Sequence, residues 1–125
     1  MPDEYREPLP DRCPPGEAQE IGASIHVFRL VKTSQVTEED FMSQRALSPK
    51  ATFRVDECFA RGLSVWATQT EADNARKLPK LRSMRVCRVE LCAGAGKLRQ
   101  TFKPDHRTWW PLGGFPILSY CEVVS

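Results

Sequence analysis

The sequence predicts an α+β fold. It reads as a single small domain built on a mixed or mainly antiparallel sheet of about five or six strands, with two or three short helices. Three observations lead there. Ile25 to Val31 is an apolar run with β-branched residues, ended by polar ones. Leu63 to Thr68 repeats that signature and passes directly into a capped helical segment, Gln69 to Leu78. Met84 to Cys92 alternates, with Cys87, Val89 and Leu91 on one face and Arg88 and Glu90 on the other. The order β–α–β–α–β–β–β does not suit a doubly wound parallel sheet.

At 125 residues the chain is one domain on length alone. Apolar residues make up 41% and charged residues 27%, the balance of a globular protein. The net charge of +2 demands no polyanionic partner, so composition does not indicate nucleic acid. There is no apolar run long enough to span a membrane, and no apolar stretch opens the chain as a signal peptide would. The five cysteines are scattered and form no Cys-x-x-Cys pair, and neither histidine stands at a zinc-finger spacing. The expectation is therefore no metal, reduced thiols and a cytoplasmic location, with most cysteines acting as small buried apolar groups.

Taken in order, residues 1–22 form a proline-rich polar leader, expected to be a flexible arm ahead of the domain at 23–125. Ile25–Val31 reads as a central strand covered on both faces. Arg29 is its anomaly, because a guanidinium is costly to bury unpaired. It reads either as a strand-end partner of a carboxylate or as a cleft residue holding an anion with its bidentate fork. Thr37 to Leu47 reads as one short helix, with Thr37 as cap and Asp40 as its reciprocal partner. Val55 to Ala60 is a further helical turn, with Gly62 as its left-handed stop. Thr68 or Thr70 caps the next helix, and Pro79 ends it. Ala93-Gly94-Ala95-Gly96 turns the chain, but lacks the lysine and hydroxyl of a phosphate-binding loop.

Lys97 to Phe102 is a further strand. Asp105 to Pro116 reads as a loop in which one of Trp109 and Trp110 covers the sheet and the other lines a surface or cleft. Ile117 to Val124 closes the sheet, and Glu122 is the second anomaly, a carboxylate on a largely apolar strand. Cys58 or Cys121 with His106 would make a thiol–imidazole pair, though no local signature supports one.

The order of the unusual polar residues is suggestive. Val27-Phe28-Arg29-Leu30-Val31 resembles the opening strand of the ADP-ribosyltransferase superfamily. Gly62-Leu63-Ser64-Val65-Trp66-Ala67-Thr68, followed by Glu71-Ala72, resembles the strand–helix step of its small toxin-like and RES-like branches. Glu122 follows on a late strand, which completes an arginine–serine–glutamate order. The resemblance covers roughly residues 25 to 124 in pattern rather than identity. It implies that NAD is the substrate, to be cleaved or to give up its ADP-ribose to a target, with no metal required. It also implies that Arg29 contacts NAD phosphate, Ser64 shapes the nicotinamide pocket, and Glu122 holds the ribose and steadies an oxocarbenium-like transition state. Trp66 or Trp109 would stack on nicotinamide. His106 is expected beside the same cleft, on the side of the sheet shared by Arg29 and Glu122. The contrasting reading is a non-catalytic module that meets a partner protein through an exposed Trp109-Trp110 loop or through the leader.

Overall fold

The computed structural model describes residues 4–125. Seven strands form one sheet: β1 (Gln19–Glu20), β2 (Ile25–Val31), β3 (Leu63–Trp66), β4 (Arg85–Leu91), β5 (Gly96–Gln100), β6 (His106–Pro111) and β7 (Cys121–Val123). Across the sheet they run β1-β5-β6-β3-β2-β4-β7, and every pair is antiparallel. Three short helices complete the fold: α1 (Gln44–Leu47), α2 (Glu57–Ala60) and α3 (Gln69–Ala75). The α+β class is as expected, with more strands than the sequence reading counted.

Alternation along the strands divides the sheet into two faces. One carries Val27, Val31, Leu63, Val65, Cys87, Val89, Leu91 and Trp109, closed over by Phe41, Phe115 and Ile117; this is the main core. On the other face Leu30 and Val86 pack with Ala72 of α3, and Phe28, Trp66 and Met84 surround them. α3 forms where it does because Thr68 accepts a hydrogen bond from the Glu71 amide and Pro79 follows its last turn.

Several elements differ from their sequence reading. The 37–47 segment is two pieces, a 3₁₀ turn at Glu38–Phe41 with the Thr37–Asp40 capping box and then α1, capped by Ser43. Gly62 is not in the left-handed region; a Cβ there would lie 2.3 Å from the Thr108 methyl, so its role is close approach. The 105–116 loop is in its first half the strand β6. Its two tryptophans do point to opposite faces, yet both are buried, at 0% and 1% exposure. Trp109 donates its indole N–H to the Ala95 carbonyl, and Trp110 donates to the Cys58 carbonyl beneath α2. Both faces of the sheet are covered here, so neither ring is left outside. The closing strand is shorter than 117–124, because Ile117–Tyr120 is a 3₁₀ turn.

The leader, whose first three residues lie outside the described ones, is packed along the sheet from residue 4 onward. Tyr5 bridges to Leu112, the Arg6 amide donates to the Pro111 carbonyl, and β1 pairs with β5. Ala18 and Ile21 are buried. Cys13 and Cys58 form a disulfide that ties the leader to α2, which corrects the expectation that every thiol is reduced. Among the described residues no helix is long and apolar enough to cross a membrane.

Gly94 and Gly96 of the β4–β5 turn both have positive φ, +90° and +118°. A Cβ on Gly94 meets nothing within 4 Å, whereas one on Gly96 would lie 2.1 Å from the Trp110 carbonyl oxygen. Gly96→Ala is therefore expected to cost about 3 kcal/mol, combining backbone strain with overlap, and Gly94→Ala about 1 kcal/mol from strain alone. Urea unfolding of both variants beside the parent measures the difference.

Candidate functional site

β2 and β3 are neighbours, yet they pair at a single register, Phe28 with Trp66. Toward Ser64 the ladder is interrupted, and Arg29 fills the break. Its Nε donates to the Asp40 carbonyl at 2.8 Å, and its Nη1 donates to the Ser64 carbonyl at 2.7 Å. Its guanidinium also stands over the Phe41 ring, 5.7 Å from the centroid. Burial lowers its pKa from 12.5 to about 10, opposed chiefly by the nearby Asp40, so it remains a cation at neutral pH. The reading of Arg29 as a strand-end partner of a carboxylate does not describe this, because its hydrogen bonds go to backbone carbonyls. Its Nη2 has no hydrogen-bond partner among the described residues. Among these residues no buried side-chain nitrogen or oxygen lacks a partner, so Nη2 has solvent access.

Arg29, Ser43, Gly62, Ser64 and Thr108 line a cleft of about 220 Å³. By register Ser64 and Thr108 lie on the face of Trp66 and His106, and Arg29 meets them where the β2–β3 ladder is interrupted. Phe59 and Phe102 stand at its aromatic end, 5.8 Å apart in an edge-to-face arrangement. Phe102 is 65% exposed and has φ +61°, an uncommon conformation for a side chain of its size. Ser64 is exposed on the cleft wall. Ser43, buried at 1% exposure, gives both its amide and its hydroxyl to the Glu7 carboxylate, so the leader fixes the wall on the Arg29 side.

The other expected residues are distributed as follows. His106 is buried in β6, with its Nδ1 2.9 Å from the Thr101 hydroxyl, which in turn lies 2.8 Å from the Thr108 hydroxyl. It connects to the cleft through Thr108 and through Phe102, whose ring lies 5.3 Å away. Register sets it on the opposite face from Arg29: His106 opposes Trp66, Trp66 opposes Phe28, and Arg29 is next along β2. The expectation that His106 shares a side with Arg29 is thus corrected. Trp66 packs edge-on against His106 at 5.4 Å and joins the smaller core, so it does not line the cleft. Trp109 is inside the main core between Phe41 and Phe115 and has no ring face to offer a ligand.

Glu122 is on β7, the sheet edge, opposite Arg88, with which it forms an exposed ion pair at 3.5 Å. That register puts it on the face away from Arg29. It is two strands from β2 and four from β6, or roughly 10 Å and 19 Å across the sheet. Distance across the sheet therefore reduces the arginine–serine–glutamate trio of the sequence to a pair, Arg29 and Ser64, which meet where the β2–β3 ladder is interrupted. Glu122 instead borders a shallow polar depression with His26, Arg88, Glu90 and Tyr120. Cys58 is bonded to Cys13, and Cys121 is on β7, so neither forms a thiol–imidazole pair with His106. Among the described residues no cluster of His, Cys, Asp and Glu could hold a metal ion.

The sequence reading missed Phe59, Phe102 and Thr108. Phe59 and Phe102 become neighbours only when α2 closes over β6, and nothing local announces that. Thr108 follows from the placement of β6, which was itself read as a loop. Comparison of the chain with family models, with curated proteins and with solved structures returned no match.

Burial holds the His106 pKa below its ordinary 6.5, the Thr101 contact opposing. The unfolded chain therefore takes up this proton first. Stability from a neutral His106 is fully present above about pH 6.5 and declines as the pH falls through 6.5 toward the lower folded value. Urea midpoints measured from pH 8 to pH 5 should show this decline. His106→Gln, which cannot titrate, should flatten that part of the profile.

Proposed function

We propose that the protein binds an anionic, nucleotide-like small molecule in the cleft between Arg29 and Ser64, and that NAD or its ADP-ribose portion is the ligand class to test first. The observation that carries this reading is a guanidinium on the cleft wall that is held through Nε and Nη1 and has no hydrogen-bond partner at Nη2 among the described residues. Such a group is oriented in advance and offers its remaining N–H donors to a phosphate without losing rotamer freedom. Ser64 and Thr108 supply hydroxyls for a sugar, and Phe59 with Phe102 supplies aromatic surface for a planar base. A cleft of about 220 Å³ suits part of a dinucleotide, with the remainder lying along the surface.

The reading extends to binding and stops short of cleavage. Steadying an oxocarbenium-like centre needs a carboxylate within reach of the sugar, and Glu122 is on the edge strand β7, three strands from Ser64 on β3 and four from Thr108 on β6. The arrangement suits a binding relative of the ADP-ribosyltransferase pattern better than an enzyme of that type. The partner-binding alternative through Trp109 and Trp110 has less support, because Trp109, Trp110 and Phe115 are all buried.

Calorimetry with NAD and with ADP-ribose tests the proposal. Binding should be seen with the parent and weakened about tenfold or more by Arg29→Lys, which keeps the charge but loses the fork. Glu122→Gln should leave binding unchanged, and neither protein should release nicotinamide. Absence of binding to both ligands by a folded parent would remove the reading. Nicotinamide release that depends on Glu122 would restore the catalytic one.

A further inference from the structure

The chain's modest net charge conceals an uneven distribution. Residues 76–88 hold six of the 18 lysines and arginines and none of the 16 aspartates and glutamates. The rest of the chain then has 12 cations against 16 anions, a charge of −4, while this short segment carries +6. It runs from the C-terminal cap of α3, through the 3₁₀ turn Pro79–Leu81, into the first half of β4. Arg76 pairs with Asp73, and Arg88 with Glu122. Among the described residues Lys77, Lys80 and Arg82 form no ion pair, Arg85 donates its Nε to the Ser125 main-chain oxygen at 2.9 Å, and all four side chains are exposed. Arg76, Lys77 and Arg82, with Asp73, surround an open depression. At the turn, Leu78 is 59% exposed with Lys77 before it and Lys80 two residues after, while Leu81 and Met84 turn inward to the smaller core.

We infer that this surface docks an acidic partner protein, with Leu78 as the apolar anchor and the surrounding cations as a steering rim. The inference is independent of the ligand cleft, whose residues it does not include. Like-signed charges held together without partners repel one another, and folding gains nothing from their proximity. An opposite charge brought from outside relieves that repulsion and accelerates encounter. Leu78 decides which polyanion. A protein interface places an apolar centre inside a polar rim, and an exposed leucine ringed by cations has that form. The phosphate backbone of a duplex presents no pocket for an aliphatic side chain. Residues 76–88 also contain no aromatic residue on which an unpaired base would stack.

The test uses the intact protein and fluorescence anisotropy at low and at moderate salt. Three labelled probes are compared: a peptide of glutamates with leucine at every third position, the same peptide with serine for leucine, and a duplex DNA of equal charge. The leucine-bearing peptide should bind about tenfold more tightly than either other probe, and its affinity should fall with salt. Lys80→Glu with Arg82→Glu should lower that affinity about tenfold, and Lys80→Arg with Arg82→Lys should preserve it. Leu78→Ser should bring the two peptides to equal affinity. Thermal melts of each variant establish that it is folded, so lost affinity is not lost structure. Duplex DNA bound as tightly as the leucine peptide would overturn the inference in favour of a nucleic-acid surface. Failure of a folded parent to bind any probe at low salt would overturn it in favour of a merely solvated face.

Discussion

Arg29 joins two parts of the sheet that otherwise meet at one residue pair. Between β2 and β3 the ladder contributes the Phe28–Trp66 register alone. Beside it the guanidinium donates to the Ser64 carbonyl of β3, in place of an amide a continuous ladder would supply, and to the Asp40 carbonyl of the 3₁₀ turn. Those carbonyls would otherwise depend on water in a partly closed space. The charge persists despite burial because these bonds, the Phe41 ring and Asp40 offset part of the desolvation. The same interruption that requires Arg29 also creates the cleft. One residue is therefore a structural tie and the leading candidate for ligand contact, and the two roles use different nitrogens.

The sequence revealed the fold class because its strongest signals are periodic and local. β2, β3 and β4 declare themselves by β-branched alternation, and α3 by a threonine cap and a terminating proline. β6 stayed hidden because two adjacent tryptophans, followed by proline and glycine, imitate a loop. Only the cover on both faces, Phe41 on one and Phe59 on the other, makes consecutive indoles compatible with a buried strand. The leader was misread for a related reason. Its composition promised little burial, but Ala18, Ile21 and one edge strand, with the Cys13–Cys58 link, are enough to attach it. Pairing between cysteines 45 residues apart cannot be read from spacing.

The candidate site was half legible for a topological reason. Arg29 and Ser64 were anomalies on strands that prove adjacent, so their association survived folding. Glu122 was an anomaly of the same kind on a strand that proves to be an edge. β4 is inserted between β2 and β7, and neither composition nor periodicity states strand order. The parity of a strand then decides the face. Glu122 pairs with Arg88 and Arg88 with Phe28, so the carboxylate shares a side with Phe28 and not with the next residue, Arg29.

The sheet ends on its two shortest strands, two residues of β1 and three of β7. Each edge carries an exposed acid, Glu20 on the first and Glu122 on the second. An edge this short offers an incoming strand few amides and carbonyls, and two copies aligned edge to edge would bring carboxylates together. The long strands β2 and β4, whose faces include the most apolar surface, are enclosed by neighbours on both sides. Seven antiparallel strands thus end in margins that resist recruiting another sheet, which guards the chain against self-templated aggregation.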